Sequence, residues 1–259
     1  MSRTAIYTAL VLRNRPSGES NSEITLLTAE EGIIKATVFG GAKSKLRAHC
    51  APYNSGQVWI YRGASAAQDK SKDYAKLSDF DVFSWRPGLR ELYDRTMASG
   101  AAAETILSSH GGGGEWADAL ALALDTLDAL ESANEELCGR LLVHFLWKWA
   151  HFLGINPHLD CCANCSEAVN DSALYFNAHE SNCFCSHCVT EDKEQMTGKN
   201  LNYIKLNPGC RKWLCAAGTI GASQVIRYSM DSRSFAEAKA LAAAVLTSAI
   251  GRRLASWDW

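Results

Sequence analysis

The chain of 259 residues is long for one domain and short for three large ones, and its hydrophobic (47%) and charged (21%) fractions are ordinary for a soluble globular protein. Its 26 Lys+Arg and 28 Asp+Glu give a net charge of −2, with a mildly basic front (14 against 10 in residues 1–100) and a mildly acidic back (12 against 18); scatter of this size carries no assignment alone. A membrane-spanning helix is excluded, because the most apolar helical stretch, Leu141 to Leu153, is too short and contains His144, Lys148 and His151.

Met1-Ser2-Arg3-Thr4 leads into a strand-like run without the apolar region of an export signal, so a cytoplasmic setting is expected. Strand signals follow at residues 6–12, 24–28, 33–39 and 58–61, with one more within 74–83. Glu30-Glu31-Gly32 reads as a turn, and Gly40-Gly41 closes the third strand. About five short strands in some 80 residues suit a small barrel or sandwich. After Pro87 the pattern becomes helical, first over 89–107. Gly111 to Gly114 reads as a helix–helix connection, since no strand precedes it and no Lys-Ser/Thr follows. Trp116, Leu120, Leu124, Leu127 and Leu130 form one face of an amphipathic helix and are read as core. Asn134 caps a third helix that runs to Leu153, where Gly154 and Pro157 stop it. Asn207-Pro208 opens another helix, and Ser234-Phe235-Ala236-Glu237 fits a capping box for a last helix reaching Ser256.

Between these helices lies the one motif that carries chemistry. Cys162-Ala163-Asn164-Cys165 and Cys185-Ser186-His187-Cys188 are two C-x2-C pairs with the spacing of a structural zinc site. Each tight turn presents two sulfurs, and two turns complete a tetrahedron. Four thiolates leave no open position for a substrate water, which favours structural Zn2+ over catalysis. Cys161 and Cys183 could substitute in register, and His179 and His187 are alternative nitrogen donors. Cys50, Cys138, Cys210 and Cys215 read as small buried residues. A reducing compartment makes disulfides unexpected among the ten cysteines.

A zinc nucleobase deaminase would need H-x-E and P-C-x-x-C; His179 and Glu180 are adjacent, and no proline precedes either pair. No nucleophile elbow, phosphate-binding loop, dinucleotide fingerprint or H-E-x-x-H occurs, so no enzymatic activity is expected. The remaining signal is cationic. Lys43, Lys45 and Arg47 follow Gly40-Gly41, while Arg13, Arg15, Lys35 and Arg62 lie on or beside neighbouring strands. Lys70, Lys72 and Lys76 form a later cluster. Tyr53, Trp59, Tyr61 and Tyr74 are interleaved, with Trp59 read as core. Cations with stacking platforms are how small barrels hold single strands.

These stretches resemble a known family. Leu26-Leu27-Thr28, Glu31-Gly32-Ile33, Gly40-Gly41-Ala42-Lys43-Ser44, Leu46-Arg47, Pro52-Tyr53 and Tyr61-Arg62-Gly63 resemble the barrel of RecO proteins. Leu153 to Asp160, leading into Cys162 and Cys165, resembles that family's entry to its zinc module. Asn207-Pro208-Gly209 and Gly251 to Leu254 are further family-like stations. The resemblance implies an α+β multidomain protein. An N-terminal OB-fold nucleic-acid-binding domain would span 1–85, a helical domain 86–158 and 193–259, and an inserted four-cysteine zinc module 159–192. It also implies a recombination mediator that binds single- and double-stranded DNA and anneals complementary strands. With RecR, such a protein loads RecA on strands coated by single-strand-binding protein. The loop after Gly40 is less basic than in many members. Two other functions are weighed against this one: a protein-interaction scaffold built on a zinc ribbon, and a zinc-dependent hydrolase or deaminase.

Overall fold

A computed structural model describes residues 4–41, 44–63, 75–112, 114–195 and 203–257. Contacts divide the chain into two compact units, Met1–Ser132 and Ala133–Trp259. Among the described residues, no helix is long and apolar enough to cross a membrane.

The first unit begins with β1 (Thr4–Ser17), β2 (Asn21–Thr28) and β3 (Gly32–Val38). A short α1 (Leu46–His49), β4 (Ser55–Arg62) and β5 (Ala75–Ser84) follow. The strands close into a barrel in the order β1-β2-β3-β5-β4, with β3 and β5 parallel and the other pairs antiparallel. This five-stranded barrel, with its helix between the third and fourth strands, is the OB-fold. The two-residue period of each strand builds its core: Tyr7, Ala9, Val11, Ile24, Leu26, Ile34, Ala36, Val58, Ile60, Leu77 and Phe80 all point inward and are buried. The sequence reading puts Trp59 in this core, and the structure does not. Because Val58 and Ile60 take the inward positions, Trp59 falls on the outer face, half-buried between its cross-strand partners Ile6 and Asp79.

β1 serves two neighbours. It pairs with β4 through Leu10 and with β2 from Ala9 onward, and a bulge between Val11 and Arg13 re-aims it between the two. The β2–β3 turn explains the Glu31-Gly32-Ile33 stretch. Glu31 accepts hydrogen bonds from Tyr7 Oη (2.6 Å) and Arg62 Nη1 (3.2 Å). Gly32 has φ +70°, and a Cβ there would lie 2.7 Å from the Trp116 ring, so only glycine fits.

Two helices, α2 (Tyr93–Ser108) and α3 (Trp116–Glu131), complete this unit. By contact they group with the barrel in one compact unit, while the sequence pattern changes from strand to helix after Pro87, where the helical domain 86–158 is expected to begin. Both contact β1, and α3 also contacts β2, which buries the outward Leu10 and Leu27. The link is fastened by Arg86. Its buried guanidinium donates to Asp128 Oδ1 (2.6 Å), Tyr53 O (2.8 Å) and Ser55 Oγ (2.9 Å).

The second unit runs α4 (Glu135–Phe152), β6 (Leu174–Asn177), β7 (Asn182–Cys185), α5 (Ser186–Gln195), β8 (Tyr203–Leu206), α6 (Pro208–Thr219), α7 (Ala222–Val225) and α8 (Ser232–Ile250). Asn134 caps α4 by accepting from Leu137 N (3.0 Å), as the sequence suggests. The buried face of α4 includes Leu141, Leu142, Phe145 and Trp149, and α4 packs against α6, α7 and α8. Asn207 caps α6 by accepting from Cys210 N (2.8 Å), with Pro208 at the first helical position.

The start of α8 differs from expectation. Its cap is Asp231, which accepts from Ser234 N (2.9 Å). Ser234 and Glu237 instead bond Asn207, through Ser234 Oγ to Asn207 Oδ1 (3.0 Å) and Asn207 N to Glu237 Oε2 (2.6 Å). The expected capping box is a knot joining α6 to α8. The helix ends at Ile250, short of Ser256, because Gly251 adopts φ +78°. β6, β7 and β8 form a small sheet in the order β7-β6-β8. The inserted module therefore includes β8 and extends past residue 192.

Candidate metal centre and nucleic-acid interface

The Sγ atoms of Cys162, Cys165, Cys185 and Cys188 all lie within 4.8 Å of one another. Those of Cys165 and Cys185 are 3.8 Å apart. A tetrahedron with metal–sulfur bonds of about 2.3 Å has edges of about 3.8 Å, so the cluster has the dimensions of a four-thiolate site.

The backbone sets this geometry. In the first knuckle, Ser166 N bonds Cys162 O (2.9 Å) and Cys162 N bonds Glu167 O (3.0 Å), with Ser166 at φ +60°. The second knuckle runs from the end of β7 into the first turn of α5. Ala163 N bonds Cys183 O (2.9 Å), which ties one knuckle to the other. Donors point at sulfur, among them Cys185 N to Cys162 Sγ (3.3 Å) and Asn164 Nδ2 to Cys188 Sγ (3.4 Å).

Electrostatics agree with the geometry. Burial opposes ionisation of Cys162, but N–H groups of Cys165, Cys185 and Asn164 outweigh it and bring its thiol down to about 6. At Cys188 the Asn164 amide favours the thiolate. Burial and the sulfurs of Cys185, Cys165 and Cys162 act the other way and win, pushing the thiol up to about 12. Four sulfurs at this separation can all be thiolates only around a cation, so the donor set fits a soft divalent metal.

Among the described residues, no other set of three or more His, Cys, Asp or Glu converges this way. Cys161, Cys183, His179 and His187 stand outside the cluster. Cys183 is buried on β7, and burial raises its thiol to about 12. Cys50, Cys138 and Cys210 are buried as expected; Cys215 is exposed.

A residue the sequence did not single out fastens this module. Arg211, on α6 and 6% exposed, donates Nε to Leu159 O (2.8 Å), Nη1 to Ser172 O (2.6 Å) and Nη2 to Val169 O. These carbonyls flank the first knuckle on both sides. A lone arginine in an amphipathic helix carries no sequence signal for such a role.

On the barrel, register decides which cations meet. Directly paired residues share a face. Arg13 pairs with Thr25 and Thr25 with Lys35, giving one outer row across β1, β2 and β3. Arg15 pairs with Glu23, Glu23 with Thr37 and Thr37 with Lys76, giving the next. Arg15 and Lys35 are exposed, and Arg13 is half-buried. On the opposite, inward-facing side of the β1–β2 hairpin, Asn14, Pro16, Ser22 and Val38 line a groove of about 510 Å3 together with the hairpin turn, the end of β3 and α1. Arg47 on α1 lines it; Lys45, at the cap of α1, is exposed.

The structure does not bring Arg62 into this array. It forms a two-pronged ion pair with Glu31, at 2.5 Å for Nη2–Oε2, and lies over the Tyr7 ring. This pairing holds the Glu31 carboxyl below its usual range. Burial and the bond to Glu31 push the Tyr7 hydroxyl up to about 12. Lys43, Lys70, Lys72 and Tyr74 lie outside the described residues.

An OB barrel with cations in register on one outer face, and a second, helical unit holding a four-cysteine metal-type centre, defines a class of two-unit proteins with a nucleic-acid type of barrel. Comparison with known proteins narrows the class. Residues 1–68 match the family model described as Recombination protein O N terminal, and residues 90–258 match Recombination protein O C terminal. The chain belongs to the RecO family, a membership that supports a role in recombinational repair. Among curated relatives, the DNA repair protein RecO of Anaeromyxobacter dehalogenans (strain 2CP-C) is 28% identical over 264 residues, covering 96% of this chain and 92% of the relative. The DNA repair protein RecO of Desulfitobacterium hafniense (strain DSM 10664 / DCB-2) is 28% identical over 192 residues, covering 74% and 67%. That of Synechococcus sp. (strain JA-3-3Ab) is 27% identical over 185 residues, covering 70% and 61%.

Proposed function

We propose that this protein is a non-enzymatic DNA-binding recombination mediator. It binds single- and double-stranded DNA, anneals complementary strands and, with RecR, helps load RecA on strands coated by single-strand-binding protein. The observation that carries this reading is the pair of rows placing Arg13, Lys35, Arg15 and Lys76 on one outer face of the barrel.

The mechanism is electrostatic. Two DNA strands repel through their phosphates, and each contacting Lys or Arg releases condensed counterions. Arg13, Arg15 and Lys35 on the sheet, with Lys45 and Arg47 at α1, neutralise one strand and raise the local concentration of its complement. Base pairing then does the joining, and no covalent step is required. Cys162, Cys165, Cys185 and Cys188 would hold structural Zn2+, which when bound would supply a cross-link between the two knuckles. Asn164 and the backbone of Cys185 orient the sulfurs, and Arg211 holds the flanking chain.

The test is fluorescence-monitored annealing of two complementary oligonucleotides, with and without single-strand-binding protein, across a salt series. Acceleration that fades with salt is expected. No acceleration at any salt would overturn the annealing activity and leave a scaffold acting through its partners.

A further inference from the structure

Alternation along antiparallel strands puts apolar residues inward and polar ones outward. The barrel departs from this rule on two sides. Leu10 and Leu27 point outward and are buried beneath α2 and α3. On the side that the first half of β1 makes with β4 and β5, apolar residues also point outward, but they stay in contact with solvent. Ile6 is 51% exposed, Tyr61 40%, and Trp59 is half-buried. Register sets them in rows. Ile6 pairs with Trp59 and Trp59 with Asp79; Thr8 pairs with Gln57 and Gln57 with Asp81. Phe83, two residues beyond Asp81 on β5, is 66% exposed. Carboxylates frame this apolar face. Asp79 and Asp81 are exposed, and Glu30 Oε1 accepts from Thr8 N (3.0 Å), which brings a third to its edge. Lys76, paired with Tyr61, is drawn to the Phe39 ring, 5.5 Å from its centroid.

We infer that this face docks a segment of a partner protein that sets an apolar side chain between Lys or Arg residues. The inference does not depend on what the cationic rows bind. An exposed apolar patch rimmed by polar residues is the surface signature of an interaction site. Charge selects the occupant. DNA brings phosphates, which Asp79, Asp81 and Glu30 repel. A second copy docked through the same face would set these carboxylates against their own equivalents across a two-fold axis. A basic amphipathic segment meets both features. Its apolar side chain covers Ile6 and Trp59, and its cations face the carboxylates. Arg13, Arg15 and Lys35 lie on the β1–β2–β3 side, so a partner seated here leaves them open.

The probe is a fluorescein-labelled amphipathic peptide of Lys and Leu, about 14 residues or four helical turns long, with its leucines on one face. Two companions carry Glu in place of Lys, or Ser in place of Leu. Fluorescence anisotropy gives Kd for each on the full-length protein. The Lys–Leu peptide should bind saturably, and each companion about tenfold more weakly or worse. Ile6→Ser should raise the Kd of the Lys–Leu peptide about tenfold, the scale of one buried aliphatic side chain. Asp79→Asn together with Asp81→Asn should do the same without touching the apolar row, and circular dichroism should show both variants folded. Arg13→Ala, on the cationic side, should leave this Kd unchanged. Absence of saturable binding, equal binding of the Glu–Leu peptide, or an unchanged Kd in both altered faces would overturn the docking site. Sedimentation velocity and a single-stranded oligonucleotide test the other occupants. A concentration-dependent dimer abolished by Ile6→Ser would give the face to a second copy, and oligonucleotide binding weakened by Ile6→Ser would give it to DNA; either would overturn the partner assignment.

Discussion

Arg211 offers the sharpest stability prediction. Its guanidinium is withdrawn from water and donates to three backbone carbonyls, those of Leu159, Ser172 and Val169. Hydrogen bonds to a charged group each contribute roughly 1.5–3 kcal/mol, so a simple sum reaches about 5–9 kcal/mol. That sum is too large, because the free guanidinium is well solvated and the three bonds are not independent. A loss of about 3–5 kcal/mol is expected for Arg211→Met, which keeps the apolar stem and leaves three carbonyls without a donor. Arg211→Lys should fall in between, since a single ammonium cannot reach all three. The assay is urea denaturation followed by circular dichroism, with metal release to a chromogenic chelator read in parallel. Chelation should speed up in Arg211→Met, because the carbonyls of Leu159 and Val169 frame the first cysteine knuckle. A stability change under about 1 kcal/mol with unaltered release would refute the view that Arg211 fastens the module.

Other perturbations test other parts of the structure. Elemental analysis should find one zinc per chain; Cys162→Ser should abolish it, and prolonged chelation should destabilise the helical unit without unfolding the barrel. Gly32→Ala introduces a methyl against the Trp116 ring at φ +70° and should cost about 2–4 kcal/mol in thermal or urea unfolding. The Glu31 carboxyl is held below its usual value in the folded state, first by Arg62. Its contribution is therefore complete above the ordinary glutamate pKa and is lost as pH falls through the depressed one. Both partners are more than one-third exposed or close to it (33% and 41%), so the effect is at most about 1 kcal/mol. Arg62→Ala should flatten the acid limb of the stability curve by that amount, seen in melting temperatures between neutral and acid pH.

The elements were readable wherever local pattern decides structure. Alternation marked the strands, Asn134 and Asn207 marked helix starts with their own side chains, and paired C-x2-C spacing named the four converging sulfurs. What escaped depends on partners remote in the chain. Trp59 looks like a core residue beside Val58 and Ile60, yet the two-residue period admits only alternate positions inside. Arg62 reads as a free cation because Glu31 stands a full strand pairing away. Ser234 and Glu237 have capping-box spacing, but Asp231 takes the cap and Asn207, from another helix, takes them. The barrel unit extends to Ser132 because Leu10 and Leu27 face outward and need α2 and α3 to cover them. Single-sequence patterning does not reveal that need.

The measurement closest to the central claim is the salt dependence of single-strand binding. Log affinity against log salt should fall linearly in the unaltered protein. Replacing Arg13, Arg15 and Lys35 together by Ala removes three phosphate contacts, at roughly 0.7 of slope each, so the slope should become shallower by about 2. Arg62→Ala, already paired with Glu31, should leave the slope as it is. An unchanged slope and affinity in the triple variant would contradict the assignment of this face to DNA.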